Sequence, residues 1–229
     1  MSSAMSILQE EIENCQRCPR LLVYRTEVAA AKRKAYANWT YWGRPVAGFG
    51  DPQARLWIIG LAPGAHGANR TGRVFTGDRS GDFLFAALHR CGLANQPTST
   101  RRDDGLQLRD CFISAAARCA PPDNKPLPAE LGHCSDFLDR EWTLLKRKRV
   151  ILALGGIAWN AAWALAQRMS CDLATRARPA FAHGATVQLT RQLTMIGSYH
   201  VSQQNTFTGR LTPEMFDTVI RECVRRCAG

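Results

Sequence analysis

No apolar run in these 229 residues reaches the roughly 18 that a membrane-spanning helix needs, so a helical anchor is not expected. The opening MSSAMSILQEEIENC also lacks the basic-then-apolar layout of a secretory leader. Together these absences predict a soluble protein of the cytoplasm with no membrane partner. Internal repeats and low-complexity tracts are missing as well. The glycine-rich stretch GLAPGAHGANRTGRVFTGDRSG at 60–81 lacks the Lys-Ser or Lys-Thr that completes a Walker loop, and it has no GxGxxG. A nucleotide cradle, and with it a phosphotransferase, is therefore excluded.

Acidic residues are scarce: 19 Asp and Glu stand against 30 Lys and Arg, for a formal charge of +11. Such a field attracts polyanions, which makes nucleic acid the leading partner class. The basic residues recur as KRK at 32–34, RR at 101–102, KRKR at 146–149 and RR at 225–226, so a distributed face is expected rather than an arm. With 45% hydrophobic residues, the length suits a single domain over 1–229, in which 1–50 form an irregular lead-in. The protein is expected to act as a monomer.

Nine cysteines in a reducing compartment argue against a disulfide framework and toward metal ligation. Cys15 and Cys18 form CxxC, while Cys119 and Cys134 flank a proline-rich loop. A close pair and a distant pair suit a structural zinc or an iron–sulfur cluster, and spacing does not choose between them. Cys91, Cys111, Cys171, Cys223 and Cys227 read as small core hydrophobes. His133 reads as a solvated loop residue rather than a substitute ligand.

Short apolar runs at Leu56 to Leu61, Cys111 to Ala117, Val150 to Leu154 and Leu193 to Tyr199 predict buried strands. Helical patterns at Gly81 to Cys91, Pro128 to Lys148, Gly156 to Gln167 and Pro213 to Cys227 alternate with them, with Thr212 as an N-cap and Pro213 at N1. A further helical stretch runs from about Ile7 to Cys15. The expected class is α/β: a three-layer αβα sandwich around a mostly parallel four-stranded sheet. In such sheets ligands bind beyond the carboxyl ends of the strands. That rule selects 60–81, ARCAPPDNKP after the second strand and SYHVSQQNTFTGRLT after the fourth. In the first of these loops His66, Asn69, Arg70, Arg73, Phe75 and Asp78 predict a pocket for a flat, polar ligand. The lead-in aromatics Trp39, Tyr41, Trp42 and Phe49 are expected to pack rather than stack on bases.

With GFGDP before the first strand, GLAPGAHGANRTGRVFTGDRSG, RCAPPDNKP and HVSQQNTFTGRLTP in this order, nearly the whole chain resembles the uracil-DNA glycosylase superfamily. Leu61, where the sister iron–sulfur type has Glu, favours family 5. The resemblance implies a structural 4Fe-4S cluster on Cys15, Cys18, Cys119 and Cys134. It also implies a monofunctional glycosylase of base excision repair, active on uracil and other deaminated bases (hypoxanthine, xanthine) flipped from double-stranded DNA, in a nucleoid-associated prokaryotic setting.

Residue by residue, Asp78 looks like the group that stabilises the cationic sugar or orients water, with Asn124 as a second polar candidate. His200 looks like the donor to the departing base, and Phe75 resembles its stacking partner. Gly64, Ala65 and His66 would form the pocket floor. Arg70, Arg73, Ser202, Gln203, Gln204, Asn205 and Arg210 would contact DNA. Ala62 stands where other members carry Asp or Asn, which moves the catalytic role elsewhere. Val201 replaces a usual proline and removes a backbone constraint. Asp78 could instead cap the following helix, a job for which Ser80 is equally placed, and Asn124 could be a turn residue. The competing functional reading is a non-catalytic nucleic-acid binder that keeps a cluster or zinc.

Overall fold

The computed structural model describes residues 3–170, 172–174 and 177–229; Cys171 lies outside the described residues. In chain order the helices are α1 (Ala4–Glu13), α2 (Pro19–Ala31), α3 (Ala68–Thr71), α4 (Arg79–Arg90), α5 (Pro128–Leu144), α6 (Gly156–Met169), α7 (Gln203–Phe207) and α8 (Pro213–Ala228). The strands are β1 (Phe49–Gly50), β2 (Leu56–Gly60), β3 (Cys111–Ala115), β4 (Val150–Leu154), β5 (Thr186–Thr190) and β6 (Leu193–Ser198). They form one sheet in the order β1-β3-β2-β4-β6-β5.

The four expected strands are its parallel centre, paired β3–β2–β4–β6. LWIIG, CFISA and VILAL are buried along their whole length, as strands covered on both faces must be. Alternation then sends Leu56 and Ile58 into the layer under α4 and α8, and Trp57 and Ile59 into the layer under α5 and α6. Each fully buried Leu, Ile or Phe in these layers contributes about 1.5–3 kcal/mol. Cys111, Cys223 and Cys227 pack in the first layer with half-buried Cys91 against them, as core hydrophobes.

The sheet has six strands rather than four. The two extra strands, β1 and β5, are antiparallel edges. Both escape an apolar-run criterion: β1 is two residues long, and β5, TVQLT, is largely exposed. The lead-in is also more regular than expected, because it carries α2 besides α1. Cys18 stands at the N-cap of α2 with Pro19 behind it.

Helix ends follow local chemistry. Thr212 caps α8 by accepting from Met215 N at 3.3 Å, with Pro213 in the first turn. α5 stops at Leu144, four residues before the expected end, and Lys148 Nζ donates to the carbonyls of Trp142 and Leu145 that this leaves open.

Candidate active site

The loops after β2, β3 and β6 meet in one cleft of about 1230 Å³ at the carboxyl edge of the sheet. Gly64, Ala65, His66, Phe75, Asp78, Asn124, His200 and the run Ser202, Gln203, Gln204, Asn205 all line it, as expected. Ala62 lines it too, offering only a methyl group.

The 60–81 stretch is not an irregular surface loop. It contains α3, and every residue from Gly67 to Val74 is buried. Arg73 is 4% exposed and paired with Asp104 at 2.7 Å, and it also bonds Thr76 Oγ1 and Ser99 Oγ. It therefore does not reach DNA. Its reading as a DNA contact does not fit this placement, because the side chain is buried and Nε, Nη1 and Nη2 are all bonded within the protein. Arg70 is 3% exposed, donates to the carbonyls of His66 and Gly77, and lies between the Tyr36 and Trp39 rings. It touches the cleft; its Nε and Nη2 hold the loop closed, while its buried Nη1 has no partner among the described residues. Arg210 lies outside the cleft lining, exposed and stacked 4.6 Å over the Tyr199 ring, which leaves its charge open to phosphate.

Asp78, not Ser80, caps α4: its Oδ1 accepts from Gly81 N at 3.0 Å. Its other oxygen occupies space that two glycines leave open. A β-carbon on Gly67 would come within 1.8 Å of Oδ2, and one on Gly64 within 2.8 Å. These glycines thus make room for a carboxylate. Burial raises the Asp78 pKa, while N–H groups of Gly81 and Ser80 and the charge of Arg70 act against that rise. Among the described residues no cation forms an ion pair with it.

Phe75 adopts φ 49°, a left-handed conformation costly for a bulky side chain. The ring passes over the end of β2, where a β-carbon on Gly60 would meet it at 2.6 Å. It ends beside His200, with centroids 6.3 Å apart and planes tilted by 37°. Desolvation pushes the His200 pKa down to about 4, so its imidazole is neutral at physiological pH. Val201 is 1% exposed in the core, and Asn205 Nδ2 donates to His200 O at 2.8 Å. Packing and this bond hold the loop where a proline would have held it. Asn124 is an exposed left-handed turn residue at φ 56° following Asp123 at φ 53°, with its side chain open to the cleft. Asn124 is thus a turn residue whose side chain also lines the cleft.

The Uracil DNA glycosylase superfamily model matches residues 47–223. The chain belongs to this superfamily. It is similar to the type-5 uracil-DNA glycosylase of Mycobacterium leprae, at 52% identity over 97% of this chain and 95% of that protein. The type-5 enzyme of Thermus thermophilus is 51% identical over 94% of both chains. A type-4 uracil-DNA glycosylase of Thermotoga maritima is 30% identical over 67% of this chain and 63% of that protein. The type-5 resemblance marked by Leu61 is borne out by this difference.

In this superfamily member the four candidate thiols converge. Cys15, Cys18, Cys119 and Cys134 line one small cavity between α2, α5 and the loop after β3. Burial pushes the Cys18 thiol up to about 11 and Cys119 to about 12, and neighbouring Cys134 adds to both. Arg25 Nη1 donates to Cys119 Sγ at 3.1 Å, and Arg118 is paired with Glu141 at 2.6 Å. Yet Arg25 Nε and both Arg118 Nε and Nη1 are buried without a partner. Orphaned guanidinium nitrogens beside four thiols are what an anionic thiolate centre would satisfy. Among the described residues, no three His, Cys, Asp or Glu side chains close tightly enough to hold a single metal ion. His133 belongs to α5 rather than a loop; it lies 3.3 Å from Cys18 Sγ yet remains exposed.

The superfamily cleft also includes Tyr24, Arg33, Tyr36 and Trp39, which sequence reasoning did not assign to it. Tyr41, Trp42 and Phe49 pack, as expected: Tyr41 OH bonds His66 Nδ1 at 3.0 Å, and Trp42 Nε1 donates to Pro45 O. The signal for Tyr36 and Trp39 was their aromatic character close to KRK. Their place is set by Arg70, which is distant in sequence.

Proposed function

We propose that the chain is a monofunctional uracil-DNA glycosylase that hydrolyses the N-glycosidic bond of uracil flipped out of double-stranded DNA. The observation that carries this reading is the convergence of an aromatic face, a neutral imidazole and a half-buried carboxylate in one cleft, Phe75, His200 and Asp78. A base within a duplex is out of reach, so it must be extruded at a cost of a few kcal/mol, least for a mispaired uracil. Phe75 receives the flipped ring. As the C1′–N bond breaks, both electrons leave with the base, and a neutral His200 N–H donates to the oxygen where the charge gathers. Its depressed pKa keeps it a donor without placing a cation next to the base. The sugar becomes cationic, and the Asp78 carboxylate offsets that charge or orients the water that attacks C1′. Asn124, at the mouth, holds the substrate or that water.

The floor at Gly64, Ala65 and His66, with only a methyl group at Ala62, leaves room for larger bases, which supports action on hypoxanthine and xanthine. Exposed Gln203 and Gln204, with half-buried Ser202 and Asn205 beside them, approach the duplex, and Arg210 adds a phosphate contact. The formal charge of +11 supports residence on the nucleoid. The chain acts as a monomer and as a single domain; the lead-in's supply of two of the four thiols supports the single domain. Cys15, Cys18, Cys119 and Cys134 hold a 4Fe-4S cluster; when bound it supplies a structural cross-link and takes no part in the hydrolysis. The orphaned arginine nitrogens support an anionic thiolate centre at this place.

A duplex oligonucleotide bearing one uracil tests the proposal. Excision leaves an alkali-labile abasic site, whereas a non-catalytic binder only shifts the mobility of the DNA. Opposing uracil, hypoxanthine, xanthine and thymine mispairs define the range. Anaerobically purified protein should be brown and contain iron; colourless protein with stoichiometric zinc overturns the cluster.

A further inference from the structure

The opposite end of the sheet carries a second cavity, of about 330 Å³. Arg55 stands immediately before β2, Arg149 before β4 and Gln192 before β6, and with Lys146, Arg147 and Lys148 they line it. Five-residue strands span roughly 16 Å, so a duplex seated in the catalytic cleft lies beyond the reach of these side chains. The KRKR run that sequence analysis counted only toward net charge is concentrated here.

Several arginines elsewhere on the surface are neutralised, while exposed Arg79, Arg101 and Arg191 form no ion pair among the described residues. Arg225 and Arg226 pair with Glu222, Arg90 and Arg221 with Asp217, and Arg168 with Asp139. In this cavity Arg55 is paired with Asp110, but none of Lys146, Arg147, Lys148 or Arg149 forms an ion pair among the described residues. Lys148 is held in place, with Nζ bonded to Trp142 O and Leu145 O and lying 4.3 Å over the Trp142 ring. Its burial pushes its pKa down to about 8, a cost that a bound anion would relieve. Lys146, Arg147, Lys148 and Arg149 share this concavity with Cys227, Ala228 and Gly229, and their like charges repel one another and attract an entering polyanion such as a nucleic-acid backbone.

We propose that this cavity is a second anion site that takes the backbone phosphates of a second DNA segment. One molecule then holds two duplexes, one at each end of the sheet, and can pass between them without full release. The bridging rests on the cleft taking the first duplex; the second site does not depend on excision.

Two short duplexes, one labelled with a donor and one with an acceptor fluorophore, report bridging as energy transfer when mixed with the full-length protein. Wild type should give transfer that disappears with rising salt. The double variant Lys146→Glu, Arg147→Glu changes two exposed side chains that make no side-chain hydrogen bond or ion pair among the described residues. It should lose bridging by roughly tenfold or more, as the loss of about two phosphate contacts implies. Its single-turnover excision from a short uracil duplex should stay within about twofold of wild type. The neutral variant Lys146→Gln, Arg147→Gln should fall between. Equal bridging by wild type and the charge-reversed variant overturns the proposal. So does a wild type that binds inorganic pyrophosphate at this site but gives no energy transfer. Bridging that depends on Lys146 and Arg147 in a protein that excises nothing supports the second site while refuting the glycosylase reading.

Discussion

The Oδ2 atom of Asp78 lies where a β-carbon on Gly67 would approach it to 1.8 Å. A carboxylate cannot share that space with a methyl group. Gly67→Ala is therefore expected to push Asp78 out of position and reduce single-turnover excision by about 10²-fold, as a misplacement of order 1 Å can. Duplex affinity should hardly change, and gel shift beside rapid-quench excision checks both. Wild-type rates would show that this oxygen has no role in the reaction.

The helix cap made by Asp78 and its proposed part in excision are separated by two substitutions. Asparagine caps a helix about as well as aspartate, so Asp78→Asn should keep the bond to Gly81 N and nearly the wild-type melting temperature while losing excision by orders of magnitude. Asp78→Ala should lose activity and also about 0.5–2 kcal/mol of stability. An active Asp78→Asn enzyme would leave the residue a cap alone.

His200 sets a pH dependence. Its folded pKa is about 4, below the ordinary 6.5, so it stays neutral where an unfolded histidine takes up a proton. Between pH 6.5 and 4 the unfolded chain binds more protons at this position, so its contribution to stability falls as pH drops through that window. At about 1.4 kcal/mol per unit the effect is of order 3 kcal/mol, and His200→Asn should flatten it. Excision should show no His200 break near 6.5. The same variant should be slowed by about 10²–10³-fold, as loss of a donor to a developing anion implies.

Arg73 and Arg210 should behave oppositely. Arg210→Ala should flatten the dependence of duplex affinity on salt by about 0.9 log units per log unit and leave the melting temperature alone. Arg73→Ala strands Asp104, so it should cost about 3–5 kcal/mol while leaving that slope unchanged. Salt titrations and thermal melts of both variants check the pair.

The thiol cavity has a stability signature. Cys134→Ser should lose iron and visible colour, leaving the orphaned nitrogens of Arg25 and Arg118 without an anion. The expected cost is about 3–5 kcal/mol. Iron assay and melting temperature together check it; loss of iron with unchanged stability would mean that the arginines do not depend on the cluster.

The residues of the chain alone determined the four central strands, because only a sheet buried on both faces needs runs such as VILAL. They also determined the cap at Thr212, because Thr-Pro starts helices locally, and the three loops at one edge, because parallel topology leaves no other place for them. The edge strands β1 and β5 were not legible: one is two residues long and the other half exposed, so their pairing rests on a neighbour and not on composition. Only tertiary structure decided what the loop side chains do. Arg73 reads as a DNA contact until Asp104, 31 residues away, is found within 2.7 Å of it. Trp39 reads as packing until Arg70 is found against its face in the cleft wall. Hydrophobic periodicity and capping act between near neighbours and so leave their mark in the order of residues. The partner of a long polar side chain is chosen by which distant segments folding brings together, and no local pattern records that choice.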